Sequence, residues 1–136
     1  LAQSVNTVSA NQLDPDLAMA AALLHDIAKG RPDHCAAGAS RLVELGFSTR
    51  LAEIVASHAD YDPNPHQAVN ETEVVYLADK LVQGDAVIPL DERFQVKLRK
   101  FADNPEAVRA VQRRWEQARF IAGRIAQACG GSLPIL

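Results

Sequence analysis

Several charged and imidazole side chains stand in this sequence where a helical pattern would bury them. His25 and Asp26 belong to the most apolar helical run of the chain, and His58 continues a stripe of apolar residues spaced three and four apart. Asp79 lies on the apolar face of another helical segment. A buried carboxylate is costly unless it is paired with, or bound to, a cation. These residues therefore predict a cation site inside a helical fold.

A divalent metal ion is the cation that this set of side chains would suit. With His34, which stands where a further helix is predicted to begin, the set comprises imidazoles and carboxylates, which are natural metal ligands. We expect one or two ions per chain, with iron, manganese, magnesium, zinc and nickel as the candidates. The candidate metal ligands are His25, Asp26, His34, His58 and Asp79.

Each of these residues also has an ordinary structural explanation when it is taken alone. A single core histidine is more often a hydrogen-bonded residue than a ligand, and Asp79 can pair with the neighbouring Lys80. His34 can simply open a helix, and we interpret His66 as an ordinary residue of a proline-containing loop. All of these explanations would have to hold at once, which favours the metal site.

The elements that must position these residues are predicted to be helices. Asp14 followed by Pro15 marks the start of one helix, and Asn70 with Glu73 three residues on resembles a capping box. Because it is apolar on every face over most of its length, the helix over 17–28 is predicted to be the buried centre of the fold. No segment predicts a strand. The predicted helices occupy residues 17–28, 35–45 and 70–83, a segment capped by Ser48, a short segment after Asp91 and a long one from Pro105 to Gly130.

Length and composition place the chain among globular proteins. Its 136 residues suffice for one domain, predicted over 1–136, and are too few for two. Hydrophobic residues make up 48% and aromatic residues only 5%, which favours closely packed helices over a β-sandwich. No apolar run approaches the roughly 18–20 residues of a transmembrane helix, so no membrane segment is predicted.

The charge of the chain does not favour binding to nucleic acid. Its formal net charge is -3, and the basic cluster within residues 109–119 is interrupted by Glu116, so we interpret that cluster as a solvated helix face. Cys35 and Cys129 lie far apart and outside any CxxC pattern. We therefore expect two inert, reduced thiols and a cytoplasmic location.

Four ordered sequence blocks resemble the signature of HD-domain phosphohydrolases. The first block is close to the HDIG-like variant of that signature, with Ala28 in place of a glycine. The blocks are ALLHDIAKG at 22–30, DHCAAGA at 33–39, IVASH at 54–58 and YLADK at 76–80. The resemblance spans about residues 1–93. It implies a metal-dependent phosphohydrolase with an all-α bundle, a buried central HD helix and a long C-terminal helix.

The resemblance also implies a role for each candidate ligand. The pattern is similar to that of bacterial symmetrical diadenosine-tetraphosphate hydrolases and cyclic-dinucleotide phosphodiesterases, which hold two metals, often iron. Carried over to this chain, Asp26 would bridge the two metals. His34 and His58 would hold one metal, and His25 with Asp79 would hold the other.

One family feature is absent from the sequence as given. The first family histidine lies on the helix before the HD helix, and residues 1–10 contain no histidine. We expect that ligand just upstream of Leu1, which would make the chain a fragment with a truncated N-terminal helix. One metal position would then be short of a ligand, and the chain as given would hold at most one metal tightly.

Hydrolysis of a small phosphorylated substrate is the chemistry that follows from such a site. A metal lowers the pKa of water towards 7, and Asp26 would be essential because it bridges the metals. Lys29 is the first candidate for neutralising phosphoryl oxygens and Arg93 the second, with Arg31 and Lys80 as weaker ones. Lys29 can equally be a helix C-terminal lysine, and Arg93 an ordinary surface charge.

The resemblance leaves the substrate and the partners open. A phosphomonoester, a nucleotide and a dinucleoside polyphosphate all fit, and the loop Ala59–Val69 is where specificity would reside. The segment 78–94 is reminiscent of HD domains fused to molybdenum-cofactor-type nucleotidyltransferases, so a fused or partner domain of that kind and a homodimer both stay open. The alternatives to an enzyme are a non-catalytic regulatory or scaffolding HD-derived module and, less favoured by the carboxylate-rich ligand set, a structural zinc domain.

Overall fold

The structure, a computed structural model, describes residues 1–8 and 12–131. Within these ranges it is an all-α bundle with one very short hairpin, which confirms the predicted fold class. No helix of the described ranges is long and apolar enough to cross a membrane. The elements are α1 (Ala2–Val8), α2 (Pro15–Leu24), α3 (His34–Glu44), α4 (Thr49–Ser57), α5 (Glu71–Leu81), β1 (Val82–Gln83), β2 (Ala86–Val87), α6 (Leu90–Lys100) and α7 (Pro105–Ala128).

The predicted helix starts are confirmed by their caps. The Asp14 carboxylate accepts hydrogen bonds from two backbone N–H groups in the first turn of α2, and Asn104 caps α7 in the same way. Ser48 caps α4 through its hydroxyl oxygen. At α5 the capping box is complete, because the Asn70 side chain accepts from the Glu73 N–H at 3.1 Å and the Glu73 carboxylate accepts from the Asn70 N–H at 3.0 Å.

The second helix is shorter than predicted. It ends at Leu24 rather than at Ala28, and a series of tight turns follows, in which backbone N–H groups bond three residues back instead of four. The turns lead to Gly30, whose φ of +90° lets the chain reverse towards α3. Residues 25 and 26 therefore lie just beyond the helix end.

The prediction that α2 is buried on every face is wrong. The helix contacts α1, α4 and α5, and Ala18 and Ala21 form its buried face. Met19 and Leu23 are 60% and 79% exposed, respectively. The small alanines let the neighbouring helices approach closely, while Met19 and Leu23 lie on the opposite, exposed side of α2.

The prediction that no strand occurs is also wrong, as is the predicted extension of α5 to Gln83. Strands β1 and β2 form an antiparallel hairpin in which Val82 pairs with Val87 and Gln83 with Ala86. Gly84 opens the two-residue turn with a φ of +64°, which is the conformation that such hairpin turns require. Strands of two residues are too short to give an alternating pattern in the sequence.

The core lies where α5 meets α4, α6 and α7. Tyr76 and Leu77 of α5 are fully buried, as are Phe94 of α6 and Ile121 and Ile125 of α7. The predicted long C-terminal helix is confirmed, and its buried positions recur every three or four residues. Burial raises the pKa of Tyr76 to about 12, so its hydroxyl stays neutral within the core.

Two buried glutamates attach the start of α5 to the rest of the bundle. Glu71 accepts from the backbone N–H of Asp14 at 2.8 Å and from the Arg50 guanidinium at 2.7 Å. Glu73 is completely buried and pairs with Arg124 of α7 at 2.7 Å. These contacts fix the N-terminal end of α5, and thereby the direction in which its C-terminal end presents Asp79.

Candidate metal centre

The structure brings the five predicted ligands together at one end of the bundle. His25 is the C-terminal cap of α2, and Asp26 follows it in the turn. His34 is the first residue of α3, and His58 is the C-terminal cap of α4. Asp79 lies in the last turn of α5. Four helix ends therefore meet at this centre, and none of the five side chains depends on a long loop for its position.

Gly38 explains how closely α3 approaches these helix ends. A Cβ atom at this position would lie 3.3 Å from Ile27 Cγ2 and 3.4 Å from Val55 Cγ1, which is tighter than ordinary packing. The absence of a side chain thus lets α3 pack against both the turn after α2 and the helix α4. His34, one turn earlier, is carried towards His58 by the same contact.

Asp26 lies between the imidazole of His25 and the imidazoles of His34 and His58. Its Oδ1 atom lies 3.8 Å from Nε2 of His58 and 3.9 Å from Nε2 of His34. Its Oδ2 atom lies 3.5 Å from Nε2 of His25. The same Nε2 atom lies 3.5 Å from Oδ1 of Asp79. The two oxygens of one carboxylate therefore face different sets of donor atoms.

Two of the imidazoles are held in a defined orientation by backbone carbonyls. Nδ1 of His25 donates to the carbonyl of Ala22 at 2.7 Å, and Nδ1 of His58 donates to the carbonyl of Val55 at 2.6 Å. Because a carbonyl can only accept, Nδ1 carries the hydrogen in each ring, and Nε2 of the neutral ring presents its lone pair to Asp26. In metal-binding histidines, the ring nitrogen that does not bind the metal usually donates such a hydrogen bond, which fixes the orientation of the ring.

The charges of the centre favour a cation among its acceptors. The hydrogen bond that protonated His25 can donate to Asp79 raises the pKa of His25, whereas burial lowers the pKa of His58. Burial alone would raise the pKa of Asp79, but its hydrogen bond to His25 and the charge of Lys80 outweigh it and hold that pKa well below its usual range. The Asp79 carboxylate is therefore ionised, and its Oδ1 atom, which faces His25, can accept from protonated His25 or bind a metal ion.

Lys80 forms the ion pair with Asp79 that the sequence left open, and the Lys80 side chain is buried. Only 6% of its side chain is exposed, and Nζ donates to Asp79 Oδ2 at 2.7 Å and to the carbonyl of His58 at 3.0 Å. The ammonium also lies 4.3 Å from the centre of the Tyr76 ring. Lys80 thus engages one oxygen of Asp79 and leaves the other directed at His25. It does not line the cavity described next, which argues against its predicted contact with a phosphate.

His25, Asp26 and Asp79 line a cavity of about 500 Å³. Lys29 and Arg93, the two leading candidates for binding a phosphoryl group, both line it, whereas Arg31 does not. The Lys29 ammonium lies 2.5 Å from Asp26 Oδ2. The Arg93 guanidinium donates to the carbonyl of Val82 in the hairpin. The apolar part of the wall consists of Met19, Ala22, Leu23, Val75, Ala78 and Val82.

Cys35 belongs to the same cluster, although the sequence predicted an inert thiol. Its Sγ atom lies 3.6 Å from Nε2 of His34 and 4.0 Å from Nε2 of His58. Burial raises the pKa of this thiol. Its position directly after His34 was the only indication in the sequence, and a cysteine outside a CxxC pattern does not by itself predict a metal ligand.

The donor atoms present suit a divalent metal. Within the described residues, the ligand atoms of His25, Asp26 and His58 all lie within 4.8 Å of one another, and so do those of His34, Cys35 and His58. Bonds of about 2.0–2.3 Å to a shared ion place neighbouring ligand atoms roughly 3–4 Å apart. The centre therefore needs only small shifts to enclose an ion. Imidazole nitrogen, carboxylate oxygen and thiolate sulfur are all recognised ligands of transition metals.

Comparison with known families agrees with the geometry. The model of the HD-domain family, described as HD domain, matches residues 1–83. This is more than half of the chain, and the chain therefore belongs to the HD-domain family, within a superfamily of metal-dependent phosphohydrolases. All five predicted ligands fall inside the matched region, whereas Arg93 falls outside it. No curated protein and no solved structure matches the chain.

Proposed function

We propose that this protein hydrolyses a small phosphorylated substrate with the help of one or two divalent metal ions. The observation that carries this proposal is the position of Asp26, whose two carboxylate oxygens face separate sets of imidazole nitrogens at 3.5–3.9 Å. A bridging carboxylate between two metal positions has this arrangement. The membership of the HD-domain family supports the same chemistry.

In this proposal each side of Asp26 serves one metal position. His34 and His58 would hold the ion nearer Oδ1, and His25 with Asp79 would hold the ion nearer Oδ2. When bound, the metal supplies a water nucleophile at neutral pH and neutralises phosphoryl oxygens. The carbonyls that orient His25 and His58 keep the Nε2 lone pairs directed inwards, which lowers the reorganisation needed for binding.

Lys29 and Arg93 would bind the phosphoryl group from the cavity side. Lys29 is 78% exposed and rests on Asp26 Oδ2, the oxygen that a metal would share. Because the side chain of Lys29 is solvated, its ammonium could leave Asp26 and turn into the cavity when Asp26 holds a metal. Arg93 lines the same cavity and donates to the carbonyl of Val82 in the hairpin, so a phosphate bound there would meet two cationic groups.

The cavity suits a substrate that has an apolar part beside its phosphate. A volume of about 500 Å³ is within the usual range for small-molecule sites, and its wall joins charged groups to the apolar side chains of Met19 and Leu23. A nucleotide or another phosphomonoester with an aromatic or aliphatic group would place that group on the apolar side. A dinucleoside polyphosphate would have to extend beyond the cavity.

Metal-dependent turnover is the result that tests the proposal. Protein stripped with a chelator should be inactive towards nitrophenyl phosphate, bis-nitrophenyl phosphate and a panel of nucleotides, and Mn²⁺, Fe²⁺, Zn²⁺, Mg²⁺ or Ni²⁺ should restore hydrolysis. His58→Ala should lose the ion at its own position and with it most of the activity, whereas His66→Ala, at an exposed loop position, should keep its metal content and activity. Metal binding without turnover of any substrate would favour the regulatory role instead, and no metal binding would overturn the proposal.

Substitution of Lys29 should separate phosphate binding from metal binding. We expect Lys29→Ala to lower kcat/KM by about 10²-fold, because one cationic group would no longer neutralise the phosphoryl oxygens in the transition state. Its metal content should stay unchanged, since the ammonium is not a ligand. Arg31→Ala is the matched control, because Arg31 is exposed and lies outside the cavity wall. Equal kcat/KM values for the two variants would contradict the assigned role of Lys29.

A further inference from the structure

We propose that Cys35 is a metal ligand, and that Asp26, His34, Cys35 and His58 form a four-ligand position that prefers zinc over magnesium and manganese. This inference rests on the proposed function, because it concerns one of the two positions beside Asp26. It goes beyond that function in assigning a thiolate to the centre and in making the two metal positions chemically different.

The distances around Cys35 suit a shared ion. Sγ lies 3.6 Å from Nε2 of His34 and 4.0 Å from Nε2 of His58. A tetrahedral zinc ion with Zn–S near 2.3 Å and Zn–N near 2.0–2.1 Å places its sulfur and nitrogen ligands about 3.5 Å apart. Asp26 Oδ1 lies 3.8–3.9 Å from the same two nitrogens and would supply the fourth ligand.

His58 gives an independent reason to place an ion among these four groups. Its side chain is 97% buried, since only 3% is exposed, and its Nδ1 atom is already used by the carbonyl of Val55. The lone pair of Nε2 therefore points into the cluster, where Asp26 Oδ1 at 3.8 Å is too far away for a hydrogen bond and has no hydrogen to give. A cation at the centre of the cluster would satisfy both atoms.

A thiol hydrogen bond alone accounts for this arrangement less well. The Cys35 thiol has one hydrogen, so it can donate to Nε2 of His58 or of His34 but not to both, and its second contact is a hydrogen bond only in the His34 tautomer that donates from Nε2 to Sγ. The carboxylate of Asp26 would still face both rings without a cation of its own on that side. With a metal ion present, by contrast, the Cys35 thiolate and the other three groups would each donate a lone pair to the same cation.

The consequence is an unequal pair of metal positions. Four protein ligands close the position at His34, Cys35 and His58, as in zinc sites of high affinity. The position at His25 and Asp79 has fewer protein ligands and borders the cavity, so it would be the open one. Soft thiolate sulfur favours zinc and disfavours magnesium and manganese, whereas the open position has no such preference.

Cobalt substitution tests this assignment directly, because a thiolate bound to Co²⁺ gives a ligand-to-metal absorption band in the near ultraviolet. Chelator-stripped protein titrated with Co²⁺ should show this band, and Cys35→Ser and Cys35→Ala should lose it. Cys129→Ser is the matched control and should keep it, and so should His25→Ala, which alters only the other position. We also expect Cys35→Ser to lower the affinity for Zn²⁺ by about 100-fold and the affinity for Mn²⁺ little.

The outcomes distinguish this inference from the proposed function. Binding of Co²⁺ without the thiolate band, or the same Zn²⁺ affinity in Cys35→Ser as in the parent protein, would overturn the role of Cys35 and leave the metal-dependent hydrolase in place. Binding of no metal by the parent protein would overturn both. Far-ultraviolet circular dichroism of each variant shows that a lost band is not a lost fold.

Discussion

Asp26→Ala is expected to abolish metal binding at both positions and to lower hydrolysis by about 10³-fold or more. The reason is that the two oxygens of this carboxylate face different ligand sets, so that its loss disarms both positions at once. Loss of any one histidine would affect mainly the position that the histidine serves. Metal content after dialysis and initial rates with the best substrate measure the two effects.

The fold should tolerate the same substitution. The Asp26 side chain is 31% exposed and its ion pair with Lys29 is solvated, so we expect the free energy of unfolding without metal to change by about 1 kcal/mol or less. Asp26→Asn keeps the shape of the side chain and separates loss of charge from loss of volume. Asp91→Asn, at an exposed carboxylate paired with Arg119, is the control and should keep both metal and activity. Full metal occupancy in Asp26→Ala would refute the bridging role.

The convergence of His25, Asp26, His58 and Asp79 was predictable because each is an ionisable residue at an apolar position, whereas His34, at a predicted helix start, was singled out mainly by the family resemblance. His58 is a clear case, since it ends an apolar stripe and is almost completely buried in the structure. Asp79 pairs with Lys80 through one oxygen, which the sequence allowed, and faces His25 through the other. The roles of these residues as ligands remain a proposal.

Other features were not predictable because the sequence pattern carries no signal for them. The apolar run of α2 continues past Leu24, so the change from helix to tight turns leaves no mark in the periodicity. The hairpin has too few residues to alternate, and only the glycine of its turn distinguishes it. Cys35 was missed because proximity between residues of different helices, here to His58, is a property of the packing.

Buried charge between distant elements is a further feature that periodicity does not reveal. The helix α7 was predicted, but nothing in the sequence distinguishes Arg124 from a charge on a solvated helix face. In the structure its side chain is only 13% exposed. It donates to Glu73 at 2.7 Å and to the carbonyls of Pro65 and Gln67 at 3.2 and 2.7 Å. One guanidinium thus joins α7 to the start of α5 and to the loop before it.

Removal of this guanidinium should destabilise the protein more than any other single change of a charged residue considered above. Arg124→Met preserves most of the side-chain volume but leaves the fully buried carboxylate of Glu73 without its cation and two loop carbonyls without their donor. Breaking one partner of a buried pair costs about 3–5 kcal/mol, because the remaining charge is left uncompensated. Urea unfolding at neutral pH, extrapolated to water, measures the loss.

The control for Arg124→Met is another arginine–glutamate pair in the same chain. Arg41 and Glu44 form an exposed pair within α3 at 3.1 Å, with side-chain exposures of 56% and 63%, so Arg41→Met should cost less than about 0.5 kcal/mol. Glu73→Gln combined with Arg124→Met should recover part of the loss, because it removes the uncompensated charge while keeping an acceptor for the N–H of Asn70. Unfolding of Arg124→Met and Arg41→Met at the same urea concentration would contradict this prediction. It would show that the buried Glu73–Arg124 pair, which joins α5 to α7, stabilises the protein no more than an exposed pair does.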